Sequence, residues 1–297
     1  MTAATEMSNV PDVTIDASHR RRPWVAAFRT PSGIIGLVLM TVIVVLALMS
    51  VFGLAPDNDA QQNVLQSLQG PSGAHWFGTD QFGRDVFSRV AGGLADSLRI
   101  AVVSVAASAV VGVVLGTLAG YYQGIADRIV GVITNVLFAF PSLLLALALA
   151  ATLQSSWVTV SIAIAVVFMP IFARVARGPV LTLRTADYVL ASTAIGRSRL
   201  STLIEHIIPN MGGILIVQIT LSLSWAILTE AALSFLGFGA PPPAPSLGGM
   251  IYDAQTLASV APWMLIYPGI ALVVAVVGLN LLGDSLRAAL DPKTGGR

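Results

Sequence analysis

Six long runs of apolar residues, separated by polar segments, organise the chain: 33–54, 98–121, 129–153, 157–175, 211–235 and 263–282. Each approaches or exceeds the roughly 20 residues an α-helix needs to cross about 30 Å of hydrocarbon. The pattern predicts an all-α polytopic membrane protein with six transmembrane helices. The first run starts late, is too long for the apolar part of a signal peptide and is closed by no A-x-A cleavage site, so it reads as a retained first helix. Residues 1–17 are polar and aperiodic and read as disordered, within an N-terminal tail over 1–32.

Polar residues inside the runs say where neighbours must stand. In the second run Ser108, Gly112, Gly116 and Gly120 recur every fourth residue, a small-residue face on which another backbone packs closely, in this chain or in a partner. Pro141 in the third run removes a backbone donor and predicts a kink; Pro170 sits near the end of the fourth. Such kinks accompany both translocation pathways and plain packing. The fifth run is too polar for a lipid-facing helix, with Gln218, Thr220, Ser222, Ser224, Thr229 and Glu230. Glu230 must face the bundle, a cavity or the outer interface. It is either a path-lining carboxylate or a hydrogen-bonded one that fixes a helix end, and the residues alone lean to the second. Candidate path residues are Asn135, Gln218, Ser222, Trp225 and Glu230.

Composition agrees: 55% of residues are hydrophobic, 10% are charged and mean hydropathy is +0.81, against about 25% charged in a soluble domain. The net charge of +1 gives no reason to expect a nucleic-acid partner. Placement of charge is more informative. With the N-terminus inside, inner segments hold Arg20, Arg21, Arg22, Arg29, Arg128, Arg174, Arg177, Arg184, Arg197, Arg199, Arg287, Lys293 and Arg297, whereas outer segments hold only Arg84, Arg89 and Arg99. This bias predicts that both termini are cytoplasmic.

Catalytic chemistry is missing. Cysteine is absent, which removes disulfides and thiolate sites. Neither a P-loop, an H-E-x-x-H nor a G-x-S-x-G motif occurs, and no metal site is expected. The runs also lack the ion-pair chain of a proton-driven carrier. An enzyme is not expected, and any energy must come from a partner.

The polar segment T-A-D-Y-V-L-A-S-T-A-I-G-R-S-R-L-S-T-L-I-E-H-I-I-P-N, 185–210, falls on the inner side. Tyr188, Ala191, Ser192 and Ile195 share one face of a short helix. Asp187 suits its start and Gly196 its stop. Arg197 and Arg199 follow, then an amphipathic stretch with Leu203, Ile204 and Ile207 on one face, and Pro209 turns the chain into the fifth run. A small-faced helix lying flat at the surface either docks into a groove of a soluble partner or rests on lipid headgroups.

This segment, A-D-Y-V-x-A-S-x-x-x-G-x(12)-P, resembles the cytoplasmic EAA loop of ABC importer permeases, in which a coupling helix sits in a cleft of the ATPase subunit. Asp187, Tyr188, Val189, Ala191, Ser192, Gly196, Arg197, Arg199 and Pro209 carry the resemblance within a loop over 176–210; the glutamate of the pattern is Leu190 here. The blocks H-W-F-G-T-D-Q-F-G-R-D-V-F-S-R (75–89), L-A-G-Y-Y-Q-G (118–124), A-F-P-S-L-L-L-A-L-A (139–148), T-E-A-A-L-S-F-L-G-F-G (229–239) and N-L-L-G-D-S-L-R-A-A-L-D-P (280–292) resemble the C-type permeases of dipeptide/oligopeptide importers. The resemblance runs from about Trp24 to Pro292.

What the resemblance implies is a type I ABC importer permease fold in a bacterial inner or plasma membrane. Its core covers 98–283, with an extracytoplasmic segment over 55–97 and a C-terminal tail over 284–297. Implied partners are a second permease, two ATPase subunits that bind ATP and Mg²⁺, an external substrate-binding protein and a peptide substrate. No cofactor belongs to this chain itself. Similar subunits also serve nickel chelates, haem or antimicrobial peptides, and an ATPase-independent channel or carrier is a further alternative. In the outer segment, Trp76, Phe77, Asp80, Arg84 and Asp85 either dock the binding protein or pack the loop onto the bundle.

Overall fold

The computed structural model describes residues 28, 30–55 and 62–290. Most of the predicted N-terminal tail and half of the C-terminal one, with Arg20, Arg21, Arg22, Arg29, Lys293 and Arg297, lie outside the described residues. The helices are α1 Pro31–Val51, α2 Val86–Tyr122, α3 Gly124–Ala139, α4 Ser142–Thr152, α5 Trp157–Leu183, α6 Asp187–Ala194, α7 Gly212–Phe235, α8 Leu247–Ala254 and α9 Trp263–Leu290. Five are long and apolar enough to cross a bilayer when the helical turns from Arg199 onward are counted with α7; α3 and α4 make a sixth span if the pair counts as one.

That pair is broken, not merely kinked. Its halves meet at 93°. Pro141 cannot donate to the helix, and it drives the residue before it out of the helical region: Phe140 is extended at φ −95°, ψ 139°. Each half is too short to cross alone, so the span is two half-helices joined by Phe140 and Pro141.

Three other boundaries move outward from the hydrophobic runs. α2 starts at Val86, twelve residues before the predicted Leu98, because Asp85 caps it: its carboxylate accepts from Ser88 N at 2.8 Å. Its 37 residues span roughly 55 Å, well beyond the hydrocarbon. Its first nine residues are nonetheless buried, by protein rather than by lipid. α5 runs on to Leu183, past the predicted Val175, because its arginines find partners: Arg177 binds Asp127, Arg174 lies over Phe138 and Arg184 donates to the Tyr121 carbonyl at 3.3 Å. The predicted loop from 176 therefore begins near 184. α9 likewise continues to Leu290, beyond the predicted 282.

The core is built on one close helix pair. The small-residue face of α2 packs along α5 of the same chain, and the two run parallel. A Cβ on Gly112 would lie 2.5 Å from the Met169 carbonyl oxygen and 2.6 Å from Phe172 Cβ; one on Gly116 would fall on the Ala173 carbonyl oxygen. These contacts settle which helix uses the stripe. α1 packs on α9 through Gly36 and Gly278, and hydrogen bonds among Thr30, Ser32 and Ser285 tie the start of α1 to the end of α9.

The outer segment folds as a cap on the bundle. Asp80 accepts from Phe82 N at 2.8 Å, Arg84 N at 3.0 Å and Arg84 Nε at 2.6 Å, with Arg89 Nε at 3.6 Å. His75 Nδ1 lies 3.1 Å from Asp85. Phe77 stacks on Tyr267 of α9 with ring centres 4.0 Å apart, and Trp263 Nε1 donates to the Thr79 carbonyl at 3.1 Å. Trp263→Phe keeps an aromatic ring but removes the pyrrole N–H and with it that bond. We expect a loss of about 1 kcal/mol, read as faster proteolysis in 62–85 with little change in the bundle's melting temperature.

Candidate functional site

The segment after α5 has the predicted order: helix, glycine, helical turns, proline, span. α6 covers Asp187–Ala194, with Asp187 in its first turn. Gly196 follows at φ +84°, a conformation that costs other L-residues because Cβ crowds the backbone. Ser198 caps the next turn by accepting from Ser201 N at 3.2 Å. The chain passes through a π-turn over Leu203–Ile207 and a 3₁₀ turn over Pro209–Met211 into α7.

The faces of this segment differ from the sequence reading in two places. Val189 and Ser192 point inward. Val189 joins Ala176, Val180, Leu203, Ile207 and Met211 in a buried cluster, and Ser192 Oγ lies 3.4 Å from Thr202 Oγ1. Tyr188, Leu190, Ala191 and Ile195 face outward. Ser192 therefore leaves the face assigned to it, because α6 anchors on the helical turns behind it through residues 189 and 192. Ile204 is also exposed while Leu203 and Ile207 are buried, since the wider π-turn rotates it off their face. Arg197 pairs with Glu205, and Asn210 Nδ2 donates to the His206 carbonyl at 2.6 Å. Leu190, at the glutamate position of the pattern, is exposed, as are Ile195, Leu200 and Ile204. The result is an apolar outer face on a segment braced from within.

The candidate path residues do not share one environment. Glu230 is 1% exposed and accepts from Ser97 of α2 at 2.5 Å and from Ser234 at 2.7 Å. Both of its oxygens are used, and it ties α7 to α2. Gln218 Nε2 donates to Ser222 Oγ at 3.1 Å; Ser222 is buried, whereas Trp225 is 63% exposed. Asn135 opens from α3 onto a cavity of about 440 Å³ between α3 and α5. Two polar contacts were missed by pattern reading, Ser224 Oγ to Asn280 Oδ1 at 2.9 Å and the bidentate Arg177–Asp127 pair at 2.5 and 2.8 Å. The lone carboxylate among the inner arginines near 128 was a signal for the second.

At the opposite end a cavity of about 550 Å³ is bordered by Gln81, Arg84, Arg89, Ser234, Pro241 and Asp253, among others. Burial pushes the Asp253 carboxyl above the usual carboxylate range, while the charges of Arg84 and Arg89 act against the shift. Of the outer candidates, Asp80, Arg84 and Asp85 are buried in the cap's own pairing and Trp76 remains half exposed, its ring edge against Phe87.

Residues 112–296 match the family model described as binding-protein-dependent transport system inner membrane component. The chain belongs to this family. It is 40% identical over 275 residues to the dipeptide transport system permease protein DppC of Alkalihalophilus pseudofirmus, covering 91% of this chain and 90% of that one. It is 43% identical over 225 residues to the glutathione transport system permease protein GsiD of Pectobacterium atrosepticum, covering 76% and 75%. Among solved structures it is similar to a chain of the MetNI methionine ABC transporter in an inward-facing conformation, with TM-score 0.54, 19% identity and coverage of 67% of this chain and 94% of that one. The last likeness concerns fold. The protein is thus a multi-pass permease subunit of an ABC importer, a transport component and not an enzyme, and the ABC importer permease fold expected from the sequence is the fold observed.

Proposed function

We propose that this permease carries short peptides, as one half of a path completed by a second permease and driven by two ATPase subunits. ATP and Mg²⁺ are bound by those subunits, and an external binding protein delivers the peptide. The observation that carries the substrate class is the near full-length identity with a permease named for dipeptides, joined by one named for glutathione, itself a small peptide. The arginine-rich end, where α2 and α5 finish, faces the cytoplasm, and both termini lie there.

Within this reading α6 is the coupling helix. Its support is geometric: Tyr188, Leu190, Ala191 and Ile195 form an exposed apolar face, while Val189 ties the same helix to α5 and the entry to α7 through a buried cluster. A push on α6 reaches two spans through packed side chains. Leu190 puts an apolar contact where the family pattern has a carboxylate. Gln218, Trp225 and Asn135 border the path, Ser222 is buried behind them, and Glu230 is a structural carboxylate locking α7 to α2.

The experiment is mild-detergent purification of the tagged chain from its own membranes, then uptake of labelled dipeptide and glutathione by the reconstituted assembly. A second permease and P-loop ATPases should co-purify, and ATP-dependent dipeptide uptake should follow. A chain reproducibly without an ATPase would overturn the coupled reading. An intact assembly that takes up neither peptide would overturn the substrate alone. Glu230→Gln retains a side chain that hydrogen-bonds Ser97 and Ser234, so uptake should stay within about twofold of the parent, while Glu230→Ala should cost about 1–3 kcal/mol of stability. A large uptake loss in a stable Gln variant would make Glu230 a path residue.

A further inference from the structure

The outer cavity is bordered by donors and acceptors that nothing in the chain satisfies. It holds about 550 Å³ between the cap, α8 and the loop after α7, within the roughly 300–1,000 Å³ usual for small-molecule sites. Arg84, which lines it, is 7% exposed. Its Nε is bonded to Asp80 at 2.6 Å and its guanidinium lies over Phe82, with Cζ 4.6 Å from the ring centre. Its two terminal nitrogens bond to nothing among the described residues. Asp253, exposed to the same cavity, makes no hydrogen bond or ion pair among the described residues. Gln81 Oε1 is buried without a donor. Buried polar atoms are rarely left in this condition unless a ligand or water completes them.

The arrangement selects a ligand with two unlike ends. Gln81 and Asp253 line the large cavity and also a recess with room for about one water molecule, so the two unmet acceptors stand close together. An ammonium group has that size and brings three donors. The other charged walls of the recess, Asp80 and Arg89, lie 3.6 Å apart and offset each other. Arg84 supplies its terminal donors in the planar fork that suits a carboxylate. Arg84 and Asp253 do not pair with each other, yet the Arg84 charge is near enough to act on the Asp253 carboxyl. A short zwitterion spans such a gap, and the two residues of a dipeptide extend at most about 7 Å.

We propose that the outer cavity receives the dipeptide as a zwitterion, with its ammonium on Asp253 and Gln81 and its carboxylate on Arg84. The site presupposes the peptide substrate proposed above, and it is where this chain holds the peptide before the peptide enters the bundle. Only the two charged ends are recognised. The peptide's side chains are left to the remainder of the cavity, toward Ser234 and Pro241.

The test titrates the intact assembly, without its external binding protein, with dialanine, N-acetyl-dialanine or dialanine amide, and reads binding by saturation-transfer NMR. Dialanine should bind about tenfold tighter than either analogue, the loss that follows removal of one charge-assisted bond. Asp253→Asn should weaken dialanine about tenfold and leave N-acetyl-dialanine unchanged, since that analogue has no ammonium to lose. Gln81→Leu should weaken dialanine about threefold. Arg84→Gln should weaken dialanine but not the amide; if the cap does not fold without Arg84, the parent's preference for dialanine over the amide carries that arm. Equal binding of dialanine and either analogue by the parent overturns the site. So does an Asp253→Asn variant that binds dialanine like the parent, or one that loses dialanine and N-acetyl-dialanine equally. Uptake of labelled dialanine is measured on the same assembly with its binding protein restored. Uptake without binding removes the site and leaves the peptide substrate standing; neither uptake nor binding removes both.

Discussion

Gly116→Leu is expected to abolish accumulation of folded protein. The position is the closest approach in the α2–α5 packing: even a Cβ would fall on the Ala173 carbonyl oxygen. The obstacle is backbone on a helix that also holds Phe172 and Ala176, both fully buried, so no side chain can turn aside. Overpacking a tight core costs about 1–3 kcal/mol when side chains yield, and more when backbone must. Here the two helices would have to separate along their common face, releasing the contacts at Gly112 and Gly120 as well. Size-exclusion profiles of detergent extracts should show loss of the monodisperse peak. Gly269→Leu on α9 is the control, because its Cβ meets nothing within 4 Å. A normal peak for Gly116→Leu would mean that the α2–α5 pair is looser than described.

Gly196→Val should leave the protein folded and inserted but cut ATP-driven uptake by roughly tenfold or more. Nothing lies within 4 Å of a Cβ placed there, so the penalty is conformational. Val at φ +84° is strained by about 1–3 kcal/mol, or roughly fivefold to 150-fold in the population of the native turn. The buried cluster behind α6 does not include residue 196, so the spans should hold while the helix loses its fixed exit. ATP hydrolysis should then persist with little uptake in the reconstituted assembly. Gly196→Asn should lose less, because Asn tolerates this region better than a β-branched residue. Unchanged uptake in Gly196→Val would remove α6 from the coupling role. Both glycines were visible in the sequence, yet they act differently: one lets another helix approach, the other lets the chain turn.

The sequence by itself determined the class and the order of elements. Spans need uninterrupted apolar length, and only a helix satisfies its own backbone in lipid, so the hydrophobic runs specify both kind and number of crossings. Local chemistry was legible too: Gly196 ends α6 and Pro141 interrupts the third span, because φ preference and the missing donor belong to the residue. Helix ends outside the bilayer were not legible. α2 begins at Val86 because a folded cap buries its first turns, and α5 passes Val175 because Asp127 and Phe138, distant in sequence, receive its arginines. Only tertiary structure decided that Ser192 turns inward, that Glu230 is shared by Ser97 and Ser234, and that Arg128 and Arg174 border one cavity. A polar residue on a helix announces that it needs a partner, but the partner is chosen by which helices pack together, and that depends on contacts between residues far apart along the chain.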